Sequence, residues 1–229
     1  MNLKSFGIFF FAAGLAVSGS AQITKQGSGY LLRVKYTAGK SMSYTMKASG
    51  SAQGQAFSMT TPMKMKVVSV KGKNGTLDYS VGPMSMMVNG KPMNMGGSNV
   101  TKVTATIDDR GKMIKSSAGQ NPGGSITFPE KPIAVGGTWS GTTTVNAGAS
   151  GPMTVSAKYK LVGIQNMNGI PAAKITLTLN GSGASKVTGT GTVYLAMSDG
   201  SLIRNDNKMQ ISMAQLPKPM QMTMSIYRN

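Results

Sequence analysis

Apolar and polar residues alternate with a period of two along almost the whole chain, and no segment after the N-terminus carries a helical period. Alternation of that kind is the mark of strands with one buried face. It is clearest in Tyr30–Tyr36, Ser41–Ala48, Met63–Val70, Gly75–Val81, Met84–Val88 and Lys102–Asp108. It returns in Gly137–Val145, Thr154–Val162, Ala172–Leu179, Lys186–Met197, Lys208–Met213 and Met220–Tyr227. Turn formers separate these runs: Lys73-Asn74-Gly75, Asn89-Gly90, Asp109-Arg110-Gly111, Asn168-Gly169, Asn180-Gly181 and Ser198-Asp199-Gly200. Strands that follow one another at hairpin spacing cannot be βαβ units. The expected fold is mainly β, an antiparallel meander forming a strongly curved sheet, a partly closed barrel or a sandwich. Ser116–Gly137 breaks the rhythm with Pro122, Pro129 and Pro132, and reads as a Pro/Gly-rich connection across residues 116–137.

The N-terminus reads differently. Lys4 precedes an apolar run from Phe6 to Val17, and Ser18, Gly19, Ser20 and Ala21 are the small residues a signal peptidase accepts. Residues 1–21 are therefore expected to be a signal peptide, cleaved before Gln22. The run is shorter than the roughly 20 residues that cross a bilayer, so no transmembrane span is expected after cleavage. Residues 22–229 are expected to form a single β domain in the periplasm or outside the cell.

Composition removes several chemistries. The chain has no cysteine and no histidine, which excludes disulfides, thiolate catalysis, the Ser-His-Asp mechanism and the usual zinc site. Lys and Arg number 24 against 6 Asp and Glu, a formal net charge of +18. That balance favours anionic partners such as an envelope surface. The lysines are scattered and lack aromatic platforms, so nucleic acid is not expected. The six carboxylates (Asp78, Asp108, Asp109, Glu130, Asp199 and Asp206) sit mostly at turns, and no two are placed in sequence as a catalytic pair. A non-catalytic protein without a cofactor is the expectation.

Twenty methionines ask for a physical account. Met63 and Met65, Met84 and Met86, Met93 and Met95, and Met220, Met222 and Met224 each lie two apart, so on strands each set forms a stripe on one face. Three uses fit such stripes. They fill a core, since a thioether adapts to irregular space. They line an adaptable apolar cavity for a lipid-like ligand, with Met63, Met65, Met84, Met86, Met220, Met222, Met224 and Trp139 as its candidate lining. Or Met84, Met86, Met93 and Met95, brought face to face by Asn89-Gly90-Lys91-Pro92, hold Cu(I), the ion soft thioethers select.

The most distinctive text is Phe128-Pro129-Glu130-Lys131-Pro132-Ile133-x-x-Gly136-Gly137-Thr138-Trp139, with Asp109-Arg110-Gly111 before it and Tyr159-x-Leu161 after it. In this order the motifs resemble an uncharacterised family of exported bacterial β-proteins, itself similar to periplasmic lipoprotein carriers. The resemblance implies a strongly curved antiparallel sheet that wraps one or more helices and encloses an apolar cavity, although no amphipathic helix is evident in this sequence. Taken together, the stripes and the resemblance lead to an exported binding protein for a hydrophobic or anionic amphiphilic ligand. The alternatives are an envelope-associated protein with a basic surface and a Cu(I)-binding protein.

Overall fold

The structure, a computed structural model, describes residues 23–93, 101–117, 126–146, 152–183, 185–198, 200–213 and 218–229. The expected signal peptide, Met95, Asp199 and the stretch 118–125 of the Pro/Gly-rich connection lie outside the described residues.

Alternation becomes strand almost everywhere. The strands are β1 (Thr24–Gln26), β2 (Gly29–Leu31), β3 (Ser41–Ala52), β4 (Gln55–Lys71), β5 (Asn74–Val81), β6 (Ser85–Val88), β7 (Lys91–Met93) and β8 (Thr101–Ile107). They continue with β9 (Met113–Ser116), β10 (Ile133–Ala134), β11 (Thr138–Asn146), β12 (Pro152–Met167), β13 (Ile170–Gly183), β14 (Ser185–Ala196), β15 (Leu202–Met213) and β16 (Met220–Arg228). No helix occurs among the described residues.

One antiparallel sheet runs in the order β11-β12-β13-β14-β15-β16-β3-β4-β5-β8-β9, with β6 on β4 and β7 on β6; β1, β2 and β10 form a second, small sheet. Each ladder of the long path joins strands close in sequence except one. β16 pairs with β3, Arg228 opposite Tyr44 and Gln221 opposite Ser51, and so joins the two halves of the meander. The path is open. It ends at β11 and β9, and no ladder joins those edges among the described residues, so the sheet is a meander without barrel closure. A closing ladder would have to set the nine-residue β11 against the four-residue β9.

The inner face of this sheet carries the core. Met42, Tyr44 and Met46 on β3, Leu177 on β13, Val193 on β14 and Ile226 on β16 belong to one buried cluster. The alternation in Ser41–Ala52 and Met220–Arg228 puts Ser, Lys, Gln and Thr on the other side. Full burial of a side chain such as Leu or Ile is worth about 1.5–3 kcal/mol, so strict alternation fixes the register of each strand.

Two expectations are corrected. Tyr30–Tyr36 is not one strand: the ladder stops at Leu31, and residues 32–37 leave the sheet. Their alternation is real, because Leu32, Val34 and Tyr36 are buried in the core, but the backbone bonds elsewhere, with Val34 N–H donating to Asp109 O at 2.6 Å. Asn180-Gly181 is not a turn. It lies inside β13, where Asn180 faces Ser156 and Thr188, because its ladders on both sides outweigh the local turn preference of the dipeptide.

The described part of the Pro/Gly-rich connection is fastened to the core. Ile126, Phe128 and Ile133 are buried in the cluster, and Phe128 N–H donates to Arg110 O at 2.8 Å. Arg110 returns a bond from Nε to Phe128 O at 2.9 Å and pairs with Glu130 at 2.6 Å.

Candidate functional site

The strand order brings separate methionine stripes together. Met63 and Met65 on β4 and Met220, Met222 and Met224 on β16 flank a single strand, β3, which adds Met42 and Met46. Met65 faces Met42, Met63 faces Tyr44, and Met222 faces Met209 of β15. All these thioethers are buried, none more than 8% exposed, and they form a continuous belt inside the core. Packing of this kind is what a flexible, polarisable side chain does well.

Met84 and Met86 are less enclosed than the belt. Met84 precedes β6, and Met86 is on it; both are partly buried. Across the ladder Met86 faces Met59 of β4 on one side and Met93 of β7 on the other. Asn89 and Gly90, at φ 49° and 76°, make the tight turn that sets β7 beside β6. Met59 escapes a reading by sequence because it lies in the Ser/Gly/Gln-rich stretch Ser49–Thr61, which carries too little apolar alternation to announce a strand.

Trp139 lies at the other end of the sheet, on β11. Its ring stacks on Tyr159, centroids 5.2 Å apart and planes inclined by 21°, and its Nε1 donates to Thr127 O at 3.0 Å. It packs against the core from the edge. Burial pushes the Tyr159 phenol up to about 12. Tyr36 and Tyr79, also buried, are raised further, first by desolvation and then by Tyr79 and nearby carboxylates for Tyr36 and by Tyr44 for Tyr79.

The concave ground lies on the opposite, polar face of β13-β14-β15-β16-β3. There the registers align side chains into rows across the strands. One row runs Lys158, Thr178, Thr190, Lys208, Thr223, Ser49. A row on one side of it runs Asn180, Thr188, Gln210, Gln221, Ser51, and a row on the other runs Lys160, Thr176, Thr192, Asp206, Ser225, Lys47. Between the first two rows lies a concavity of about 720 Å³, and between the first and third one of about 580 Å³. Adjacent rows are two residues apart, roughly 7 Å, and five strands span roughly 19 Å. The result is a pair of parallel grooves, running across the strands, with Lys208 on the ridge between them.

Glycine occurs under the floor. Gly50, Gly189 and Gly191 occupy inner-face positions beneath the grooves, where a Cβ would come within 2.1 Å of Gln221 O, 2.7 Å of Lys208 O and 2.0 Å of Asn207 Oδ1 respectively. The strands pack closely here because those side chains are missing. Hydroxyls and amides line the walls, and the charge is positive. The carboxylate of Asp206 is taken up by Arg204 Nε at 2.7 Å and by the Ser225 hydroxyl at 2.6 Å. The same contact holds the Arg204 guanidinium above its ordinary value. Lys47 lies 5.6 Å from the Tyr227 ring centroid.

The other described carboxylates serve turns and ion pairs. Asp108 accepts from the backbone N–H of Arg110 and Lys112 at 2.9 and 2.8 Å, Asp109 lies 3.9 Å from Arg33 and 3.7 Å from Lys73, and Asp78 accepts from the Thr104 hydroxyl at 2.7 Å. Among the described residues no group of three or more His, Cys, Asp or Glu could hold a metal ion.

No protein-family model and no curated protein sequence matches the chain. Among solved structures it is similar to the hypothetical lipoprotein YmcC of Escherichia coli, at 11% identity and a TM-score of 0.36 over 83% of this chain and 88% of that one. It is similar also to a Parabacteroides distasonis chain named as a lipoprotein, at 12% identity and a TM-score of 0.38, covering 84% and 94%. A third, a Bacteroides fragilis chain named as an exported protein with a YmcC-like fold, gives 11% identity and a TM-score of 0.39, covering 84% and 97%. At such low scores the functional reading rests on this chain's own geometry.

Proposed function

We propose that this chain is a non-catalytic, exported binding protein whose basic, hydroxyl-lined sheet face holds an extended acidic polysaccharide of the cell envelope. The observation that carries the reading is the pair of adjacent concavities, one across β13-β14-β15-β16-β3 and one across β13-β14-β15-β16, with Lys208 lining both and Lys158, Lys160 and Lys47 next along the rows that flank them. Thr, Asn and Gln side chains both donate and accept, which suits a sugar's hydroxyls, while the lysines suit its carboxylates. Among the described residues no aromatic side chain lines either groove, and Tyr227, against Lys47, stands one row outside them. The signal-like N-terminus supports export, and the net charge of +18 supports attraction to an anionic envelope.

The apolar-ligand reading has a different requirement. A lipid would have to enter among Met63, Met65, Met220, Met222 and Met224, whose thioethers are already packed in the core. Buried side chains occupy one face of β3, β4, β5, β8 and of β12 to β16, and the polar face of these strands is the one left for a partner.

Binding to immobilised polygalacturonate, with neutral dextran as the comparison, tests the proposal. We expect retention on polygalacturonate that falls steeply with added salt, no retention on dextran, and about tenfold weaker binding in the double variant K158E/K208E. Equal retention of the variant and the parent would sink the groove assignment. A lipid-sized adduct in native mass spectrometry of the purified protein would restore the apolar-ligand reading in its place.

A further inference from the structure

Met93, Met86 and Met59 stand directly opposite one another on three adjacent strands, β7, β6 and β4. Directly opposed residues share a face, with Cβ atoms about 4.5–5.5 Å apart. Three flexible thioether arms therefore rise from one row and can swing toward a common point. Met59 packs against the core and its row runs on through Ala48 to Met224, so the three continue the belt outward and differ from it in exposure. The belt thioethers are enclosed by the core, whereas Met59, Met86 and Met93 are only partly buried, within reach of an ion from solvent. Met84, also partly buried and two residues before Met86, stands close enough in sequence to supply a fourth sulfur.

We infer that Met59, Met86 and Met93 form a thioether site for a soft monovalent cation, Cu(I) or its stand-in Ag(I). The donors are neutral and offer sulfur alone. Such a set does not compensate a divalent ion, and it favours soft Cu(I) over Zn(II), Mg(II) or Ca(II), which need imidazole, thiolate or oxygen ligands. The site also revises the set read from sequence. Met86 and Met93 remain, Met95 lies outside the described residues, and Met59, more than twenty residues upstream, takes a place that only strand pairing could give it. Nothing in this site depends on the polysaccharide grooves, which lie on the opposite face of the sheet.

The test uses the whole purified protein under anaerobic conditions, with excess ascorbate and a chromogenic Cu(I) chelator as competitor. We expect the parent to retain one equivalent of Cu(I) and the double variant M86L/M93L to lose at least about tenfold in affinity, a difference of about 1.4 kcal/mol. M87L is the control: Met87 is exposed on the other side of the same strand, and its removal should leave retention unchanged. Methionine methyl resonances provide a second readout that needs no variant to fold. On addition of one equivalent of Ag(I), the methyls of Met59, Met86 and Met93 should shift first. Unchanged retention in M86L/M93L, or shifts that fall first on Met87 or spread evenly over the methionines, would overturn the assignment.

Discussion

Gly50 and Gly191 sit on the inner face of the sheet, where a single added methyl group has nowhere to go. At Gly50 the obstacle is the backbone oxygen of Gln221 at 2.1 Å, with the Phe57 ring at 2.9 Å, and backbone cannot swing aside. Gly50→Ala should cost about 1–3 kcal/mol, read as a lower urea midpoint, while Ser51→Ala next to it, exposed on the polar face, should stay within about 0.5 kcal/mol. Equal midpoints for the two would mean that β3 and β16 can separate locally without cost. Residue faces were legible in the sequence: Met63, Met65, Met220, Met222 and Met224 do share the apolar side of their strands. What that side meets was not legible. A period of two states only that alternate residues face the same way, and whether they meet other side chains or a ligand depends on strands distant in sequence. Asn205 and Asn207 show the limit most sharply. They are fully polar, yet both are buried on the inner face of β15, Asn207 Nδ2 donating to Asn205 Oδ1 at 3.1 Å, so the polar text of Leu202–Asn207 concealed half a strand.

Turn chemistry explains which elements could be read ahead of the structure and which could not. Asn89-Gly90 and Asn168-Gly169 adopt positive φ at both residues, as two-residue hairpin turns of the I′ type require, and asparagine tolerates that region. The turn between β3 and β4 has the same geometry, with φ 53° at Gln53 and 79° at Gly54, but carries glutamine in place of asparagine. That single choice, together with the weakly apolar strand ends on either side, hid the hairpin. Gln53→Asn should therefore stabilise the protein by roughly 0.5–1 kcal/mol, visible as a higher urea midpoint with an unchanged slope. A lower midpoint would show that the Gln53 side chain has a role of its own. The element that misled was Tyr30–Tyr36, whose alternation is that of a buried extended segment; periodicity reports burial, and hydrogen-bond partners have to be found elsewhere.

For the molecule as a whole, three buried phenols set an alkaline limit. Tyr36, Tyr79 and Tyr159 have folded values above the unfolded one of about 10, so the unfolded chain gives up its protons first as pH rises. Their contribution to stability is complete below about pH 10 and is lost progressively above it, through about pH 12 in the case of Tyr159. Melting temperatures taken at pH 8, 10 and 11 should fall only in the upper interval, and Tyr159→Phe should flatten part of that fall. An unaltered profile in the variant would show that the Tyr159 phenol does not contribute. The general architecture, all antiparallel and meandering, follows from local hairpin signals and was legible for that reason. The one pairing that makes a single sheet of it, β16 on β3, has no local signal at all. Because every other ladder of the long path joins strands close in sequence, a circular permutation that links residue 229 back to residue 23 and opens the chain between residues 117 and 126 would turn this last long-distance pairing into a short one. The permuted chain should form the β16–β3 ladder sooner, while the bonds between Arg110 and Phe128, local in the present order, would come to span nearly the whole permuted chain and form last.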